Sequence, residues 1–350
     1  MCGIVGIISK DGVTPRLVEG LRNLEYRGYD SAGIATLVNG NIERRRAEGK
    51  IANLVALLEA DPLDGTTGIG HTRWATHGVA NEVNAHPHAT NRVALVHNGI
   101  IENFQELRDE LEATGHVLES DTDTEVVVHL ITRNLEDGLD PEAATIAALA
   151  KLKGAFALSI LFAGEDDLMI AARRGSPLAI GYGEGEMFVG SDALALAPLT
   201  KTIAHLDDED WVILSNNRAE IRDAAGRLVN RQVYETKSWY NVPGKDGHPH
   251  YMLKEIYEQP QVIGDTLHSF LNPADRTFTL PDLGFELDAV RSITIAACGT
   301  SYNAGLIAKY WLEQVARVRV EVDFASEFRY RGALMPKDGL ALFISQSGET

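Results

Sequence analysis

Cysteine is almost absent from this sequence: 350 residues contain only Cys2 and Cys298. Two thiols so far apart make no disulfide framework, and a reducing compartment is expected. Long apolar runs are missing as well, since no stretch reaches the ~18 residues that a membrane-spanning helix needs. The chain starts with no charged segment ahead of an apolar one, so no signal peptide is expected and the protein reads as cytoplasmic, with no membrane partner. Positive charge is scarce: 32 Lys and Arg face 50 Asp and Glu, for a net charge of -18. Nucleic acid and anionic membrane both call for a basic face, which argues against either as a partner. Small anions stay open, because a few arginines and backbone amides can bind one inside an acidic protein. Internal repeats and low-complexity tracts are also lacking.

What remains is ordinary globular composition, 45% hydrophobic and 23% charged, long enough for two domains. "CGIVGIIS" (2–9), "SAGIATLV" (31–38), "TTGIGHTRW" (66–74) and "RVALVHNG" (92–99) read as strands. Leu17, Leu21 and Leu24 share a helix face, as do Ile51, Leu54, Val55 and Leu58, and then Phe104, Leu107 and Leu111. "DTDTEVVVHLITRNL" reads as a helix with Asp121 or Thr122 as N-cap. From 154 onward, short strands broken by Gly, Asp and Pro point to an α+β domain with stacked sheets. "GYGEGE" (181–186) precedes a strand rather than a helix and reads as a hairpin turn, not a nucleotide loop.

Residues 236–250 are polar, rich in Gly and Pro and without period, and read as a linker between domains at 1–235 and 251–350. Beyond it, "YMLKEIYEQPQVIGDTLHSFL" reads as helical with a break near Pro260. Strand, loop and helix then alternate, the rhythm of a parallel α/β sheet.

Several short motifs carry chemistry. In "MCGIVGI", Cys2 is either a small buried residue or a nucleophile. Once Met1 is removed, its own α-amine can serve as its base. "HTRWATHG" (71–78) places Arg73, a planar fork suited to a carboxylate, at a strand end. "VHNG" (96–99) is either a plain turn or an oxyanion donor pair made by the Asn98 amide and the Gly99 N–H. "SDTDTE" (120–125) offers carboxylates that either cap a helix or hold an ammonium group. His86 and His88 in "NAHPHAT" lack further ligands nearby, so a polar network is expected there and no metal. "ACGTSYN" (297–303) and "SQSGET" (345–350) each follow an apolar strand with Gly, Ser and Thr, either as helix caps or as paired phosphate loops.

Together, "CGIVGI", "LEYRGYDSAG" (24–33), "HTRWATHG", "EVNAHPH", "HNGIIEN" and "SDTDTE" resemble the glutaminase half of the glutamine–fructose-6-phosphate aminotransferase (isomerising) family. "HYMLKEIYEQP" (250–260), "ACGTSYN", "ASEFRYR" (325–331) and "SQSGET" are similar to its linker and the first part of its isomerase half. The resemblance implies an N-terminal-nucleophile hydrolase αββα sandwich followed by a truncated SIS-type α/β domain. It also implies glutamine and fructose 6-phosphate as substrates, no cofactor, and a homodimer at full length.

Carried over motif by motif, the resemblance implies Cys2 as nucleophile with its α-amine as base, and Arg27 supporting that terminus. It implies Asn98 and Gly99 as the oxyanion hole, Arg73 on the glutamine carboxylate and Asp123 on its ammonium. Thr76 and His77 would line that pocket, and Trp74 would gate ammonia. Thr300, Ser301, Ser345, Gln346, Ser347 and Thr350 would hold the sugar phosphate. The family's second half continues well past "SQSGET", so the chain is expected to be a fragment that keeps glutaminase activity without making glucosamine 6-phosphate. The rival readings are another class II amidotransferase and a non-catalytic sugar-phosphate sensor.

Overall fold

A computed structural model describes residues 2–25, 30–74, 79–235, 248–272, 277–278 and 283–345. Arg27, Thr76, His77, Gln346, Ser347 and Thr350 lie outside the described residues, as does most of the expected linker. The chain divides into two compact units, residues 1–246 and 247–350.

The first unit begins β1 (Gly3–Ile8), α1 (Thr14–Leu24), β2 (Ser31–Val38), β3 (Asn41–Glu48), α2 (Ile51–Ala60) and β4 (Thr67–Arg73). It continues with β5 (His88–Ala89), β6 (Val93–Ile101), α3 (Phe104–Ala113), α4 (Glu125–Glu136), α5 (Pro141–Leu149), β7 (Gly154–Phe162) and β8 (Met169–Arg174). Next come β9 (Ala179–Gly183), β10 (Glu186–Gly190), α6 (Ala193–Leu196), β11 (Thr202–His205), β12 (Trp211–Ser215), β13 (Arg218–Arg222) and β14 (Val233–Glu235). These strands form two antiparallel sheets, in the orders β14-β11-β9-β10-β1-β4-β2-β3 and β13-β12-β8-β7-β6-β5.

Period-2 alternation assigns each strand's two faces to different cores. Ile4 and Ile8 of β1 pack between the sheets, whereas Val5 and Ile7 pack against Leu17 and Leu21 of α1. In β7, Ala157 and Leu161 join the inter-sheet core while Phe156, Leu158, Ile160 and Phe162 pack under α4. Three apolar layers thus hold four layers of structure together, helix on sheet on sheet on helix. Burial of each large side chain in them contributes about 1.5–3 kcal/mol.

Among the elements that escape the sequence reading, β3 and α5 are instructive. In "NIERRRAE" the run of arginines hides β3, which pairs with the buried β2 from Ser31↔Glu48 to Val38↔Asn41 and carries its charges as a sheet edge can. In α5 the signal was present: Asp140 caps the helix by accepting from the Ala143 N–H at 2.8 Å, with Pro141 in the first turn. One further expectation needs correction. The helix α4 starts at Glu125, so Asp121 and Thr122 precede it and do not cap it. "GYGEGE" is a hairpin turn, as expected, joining β9 to β10.

The second unit contains α7 (Tyr251–Phe270), β15 (Leu271–Asn272), β16 (Thr277–Phe278), β17 (Ser292–Ala297), α8 (Gly299–Trp311), β18 (Arg319–Phe324), α9 (Ala325–Tyr330) and β19 (Gly339–Ile344). Pro260 lies inside α7, so the expected break is not there; the ring removes one N–H donor, and the helix continues on both sides. The central strand β17 pairs in parallel with both β18 and β19.

Candidate active site

Cys2 stands at the head of β1, a strand in the middle of the larger sheet, flanked by β10 and β4. The register Gly3↔Thr72 sets it beside the end of β4. There its Sγ accepts from the Trp74 backbone N–H at 3.3 Å and lies 3.5 Å from the Trp74 carbonyl oxygen. Burial pushes the thiol up from its ordinary range, while the Trp74 backbone contact opposes that shift. Near neutral pH the resting group is therefore a thiol, and attack by it needs a base.

The other sheet supplies the facing wall. Asn98 on β6 is buried, and its Nδ2 donates to the Cys2 carbonyl oxygen at 3.2 Å. Gly99 follows with φ +123, and a Cβ there would sit 2.1 Å from the Ala155 carbonyl oxygen on β7. Only glycine fits both conditions.

Charge of both signs reaches the same cleft. Arg73 is 3% exposed, with Nη1 3.9 Å from Asp30 Oδ1 and donating to the Val79 carbonyl at 3.4 Å. Asp123 is 5% exposed; its Oδ2 accepts from the Ile101 N–H at 2.8 Å. Cys2, Arg73, Trp74, Gly99 and Asp123 all line one small cleft, together with His86, His97, Thr122 and Thr124. Trp74 is half exposed.

Tertiary structure separates the three acids of "SDTDTE". Asp123 faces the cleft, whereas Glu125 accepts from the backbone N–H groups of Glu119 at 3.0 Å and Ser120 at 2.6 Å. Asp121 is reached by Asn84 Nδ2 at 3.4 Å.

A histidine cluster behind the cleft was only half legible. His86 Nε2 and His97 Nδ1 each lie 2.9 Å from Thr124 Oγ1, and His88 Nε2 lies 3.1 Å from Thr122 Oγ1. His86 and His88 thus belong to a polar network, and among the described residues no group of three or more His, Cys, Asp or Glu could hold a metal. Sequence reasoning passed over His71, His97 and Thr124. The available signal was alternation, which puts His71 on the same face of β4 as Ile69 and Arg73.

Burial lowers His71 to about 3 and holds His86 and His88 far below the ordinary imidazole range. Unfolded histidines bind protons near pH 6.5, and these folded ones do not. Their stabilisation is therefore complete above about pH 6.5 and is lost as pH falls toward 3, at about 1.4 kcal/mol per pH unit for each ring. The urea midpoint of the first unit is expected to drop between pH 7 and pH 5, and less so in a His88→Gln variant. A level midpoint would mean that the folded rings take up protons.

In the second unit the partner pairs Ala297↔Ile344 bring the ends of β17 and β19 side by side. Thr300 and Ser301 form the first turn of α8 there, and Ser345 follows β19 at the same sheet edge. The N–H groups of a helix start and nearby hydroxyls can hold a phosphate.

The glutamine amidotransferase domain family matches residues 61–233, and the SIS domain family matches residues 286–350. A glutamine–fructose-6-phosphate aminotransferase [isomerizing] of Bradyrhizobium diazoefficiens is 57% identical over 351 residues, covering 100% of this chain and 58% of that protein. Its namesake in Brucella abortus is 56% identical, with the same two coverages of 100% and 58%. The chain thus spans 58% of the length of the curated relatives it matches. Among solved structures, glutamine phosphoribosylpyrophosphate amidotransferase from B. subtilis aligns with a TM-score of 0.58 at 20% identity. The alignment covers 96% of this chain and 69% of that one. That likeness speaks for the fold alone, and the fold is the expected one: an N-terminal-nucleophile αββα sandwich, then an SIS-type parallel sheet.

Proposed function

Over the 58% of their length that it spans, this chain belongs to the glutamine–fructose-6-phosphate aminotransferase family, and we propose that its first unit hydrolyses glutamine at Cys2. The ammonia released serves to aminate fructose 6-phosphate in the whole protein. The observation that carries this reading is the meeting of Cys2, the Arg73 cation and the Asp123 carboxylate around one cleft, with the Asn98 amide bonded to the Cys2 backbone beside it.

The chemistry follows from that set. Among the described residues Sγ hydrogen-bonds only to the Trp74 backbone, so no side chain stands as its base. Removal of Met1 supplies one, an α-amine with a pKa near 7.7–8.0. The amine takes the thiol proton as sulfur attacks the glutamine side-chain carbonyl. Negative charge then develops on the carbonyl oxygen, facing Asn98 Nδ2 and the Gly99 N–H, and each such donor is worth about 2.7–4 kcal/mol. The protonated amine passes its proton to the departing ammonia, leaving a thioester. Water activated by the same amine releases glutamate and regenerates the thiol.

Arg73 pairs with the glutamine α-carboxylate and Asp123 with its α-ammonium. Arg27 supports the terminus, Thr76 and His77 line the pocket, and Trp74 gates ammonia. Thr300, Ser301, Ser345, Gln346, Ser347 and Thr350 bind the sugar phosphate of the second substrate. The working protein is a cytoplasmic homodimer.

The test is glutamate release from glutamine by the full chain, with a diazoketone analogue of glutamine as covalent probe. The probe is expected on Cys2, and Arg73→Lys is expected to raise KM for glutamine about tenfold or more with a smaller change in kcat, because a bidentate fork becomes a point charge. A chain that leaves the probe unreacted and glutamine intact, yet binds fructose 6-phosphate, would instead be a sensor.

A further inference from the structure

His71 is fully buried on β4, on the face that looks between the two sheets. Its Nε2 lies 2.9 Å from the backbone carbonyl oxygen of His97 and 3.0 Å from Asn98 Oδ1. A backbone carbonyl can only accept, so Nε2 must carry the proton. The Asn98 atom sharing that proton must accept as well, which makes it the amide oxygen. The amide nitrogen is then turned the other way, toward Cys2, where it donates to the carbonyl oxygen at 3.2 Å. A flipped amide would set Nδ2 against the Nε2 proton and Oδ1 against the Cys2 carbonyl. Both contacts would be repulsive. The His97 carbonyl therefore selects the His71 tautomer, and that tautomer selects the Asn98 orientation.

We propose that His71 is a positioning residue for glutamine hydrolysis, holding the Asn98 amide so that its N–H rather than its oxygen faces the developing oxyanion. The proposal rests on the glutaminase reading above and extends it one residue away from the substrate. The same burial that keeps the ring neutral leaves its Nδ1 without a partner among the described residues. A buried ring nitrogen left unpaired costs stability, so packing alone gives no reason for histidine here. A leucine would fill similar space without that cost.

The test uses the full chain and three substitutions. His71→Leu removes the donor, and kcat for glutamine hydrolysis is expected to fall about 10- to 100-fold, with KM within about threefold of wild type. His71→Gln keeps an N–H where Nε2 was and is expected to recover most of that loss. In an Asn98→Ala background, His71→Leu is expected to change kcat less than twofold, because the amide it orients is gone. Alkylation of Cys2 by iodoacetamide needs no oxyanion donor and is expected to proceed at the wild-type rate in His71→Leu, which separates positioning from misfolding.

A His71→Leu chain with wild-type kcat overturns the role. So does a His71→Gln chain as impaired as His71→Leu, or equal losses in the Asn98→Ala and wild-type backgrounds. A wild-type chain that neither hydrolyses glutamine nor reacts with the diazoketone overturns the glutaminase reading, and the role of His71 with it.

Discussion

Cys2→Ala abolishes glutamine hydrolysis, with a fall in kcat of about 10⁴-fold or more, and leaves the thermal midpoint within a few degrees of wild type. The size follows from losing the atom that forms the covalent intermediate. Removing a nucleophile erases nearly all the rate that depends on it, and the donors that remain stabilise a charge that no longer forms. The small stability effect follows from position. The side chain is only part-buried ahead of β1, and its hydrogen bonds go to the Trp74 backbone. Glutamate release and a melting curve on the same sample check both halves. Residual activity near 1% of wild type would mean that another group attacks. Intact mass completes the case: an active enzyme that retains Met1 would leave Cys2 without a free α-amine and sink the amine as base.

The second large effect belongs to a residue that contributes no side chain. Gly99→Ala is expected to lose at least 100-fold in glutamine hydrolysis and about 3 kcal/mol or more in stability. At φ +123 an L side chain is strained, and the new Cβ would meet the Ala155 carbonyl oxygen at 2.1 Å. Rigid strand backbone on β7 cannot yield cheaply, so β6 must move, carrying the Gly99 N–H and the Asn98 amide away from Cys2. Relief by a rotamer change, available to a flexible neighbour, is not available here. Urea denaturation and glutamine kinetics together test this. A Gly99→Ala chain with wild-type stability would show that the strand relaxes without cost. If that chain were also fully active, the backbone N–H at position 99 would have kept its place beside Cys2 despite the added Cβ.

Most of the elements were legible because their signals are local. Short apolar runs marked β1, β2, β4 and β6, the 3.6-residue period marked α1 to α3, and cap candidates ahead of an apolar run marked α4. Where a signal was diluted, the reading failed for a physical reason. The arginines of β3 look like loop until a buried neighbour pairs with them. Pro260 looks like a helix break, yet it costs one hydrogen bond in a helix of 20 residues. "SDTDTE" offered three acids that composition could not rank. Glu125 bonds back to its own segment, Asp121 meets Asn84, and Asp123 alone of the three lines the cleft.

Residue types and their order were enough to name the reagents: a thiol that follows the first methionine, a planar cation at a strand end, an amide beside a glycine. Those are covalent properties, present in the chain before it folds. Which of them meet was decided by the two sheets, whose facing strands bring Cys2 and Asn98 within 3.2 Å across 96 residues of sequence. The second layer was decided there too. No local pattern assigns a proton to one nitrogen of His71, because the carbonyl that selects it lies on a different strand.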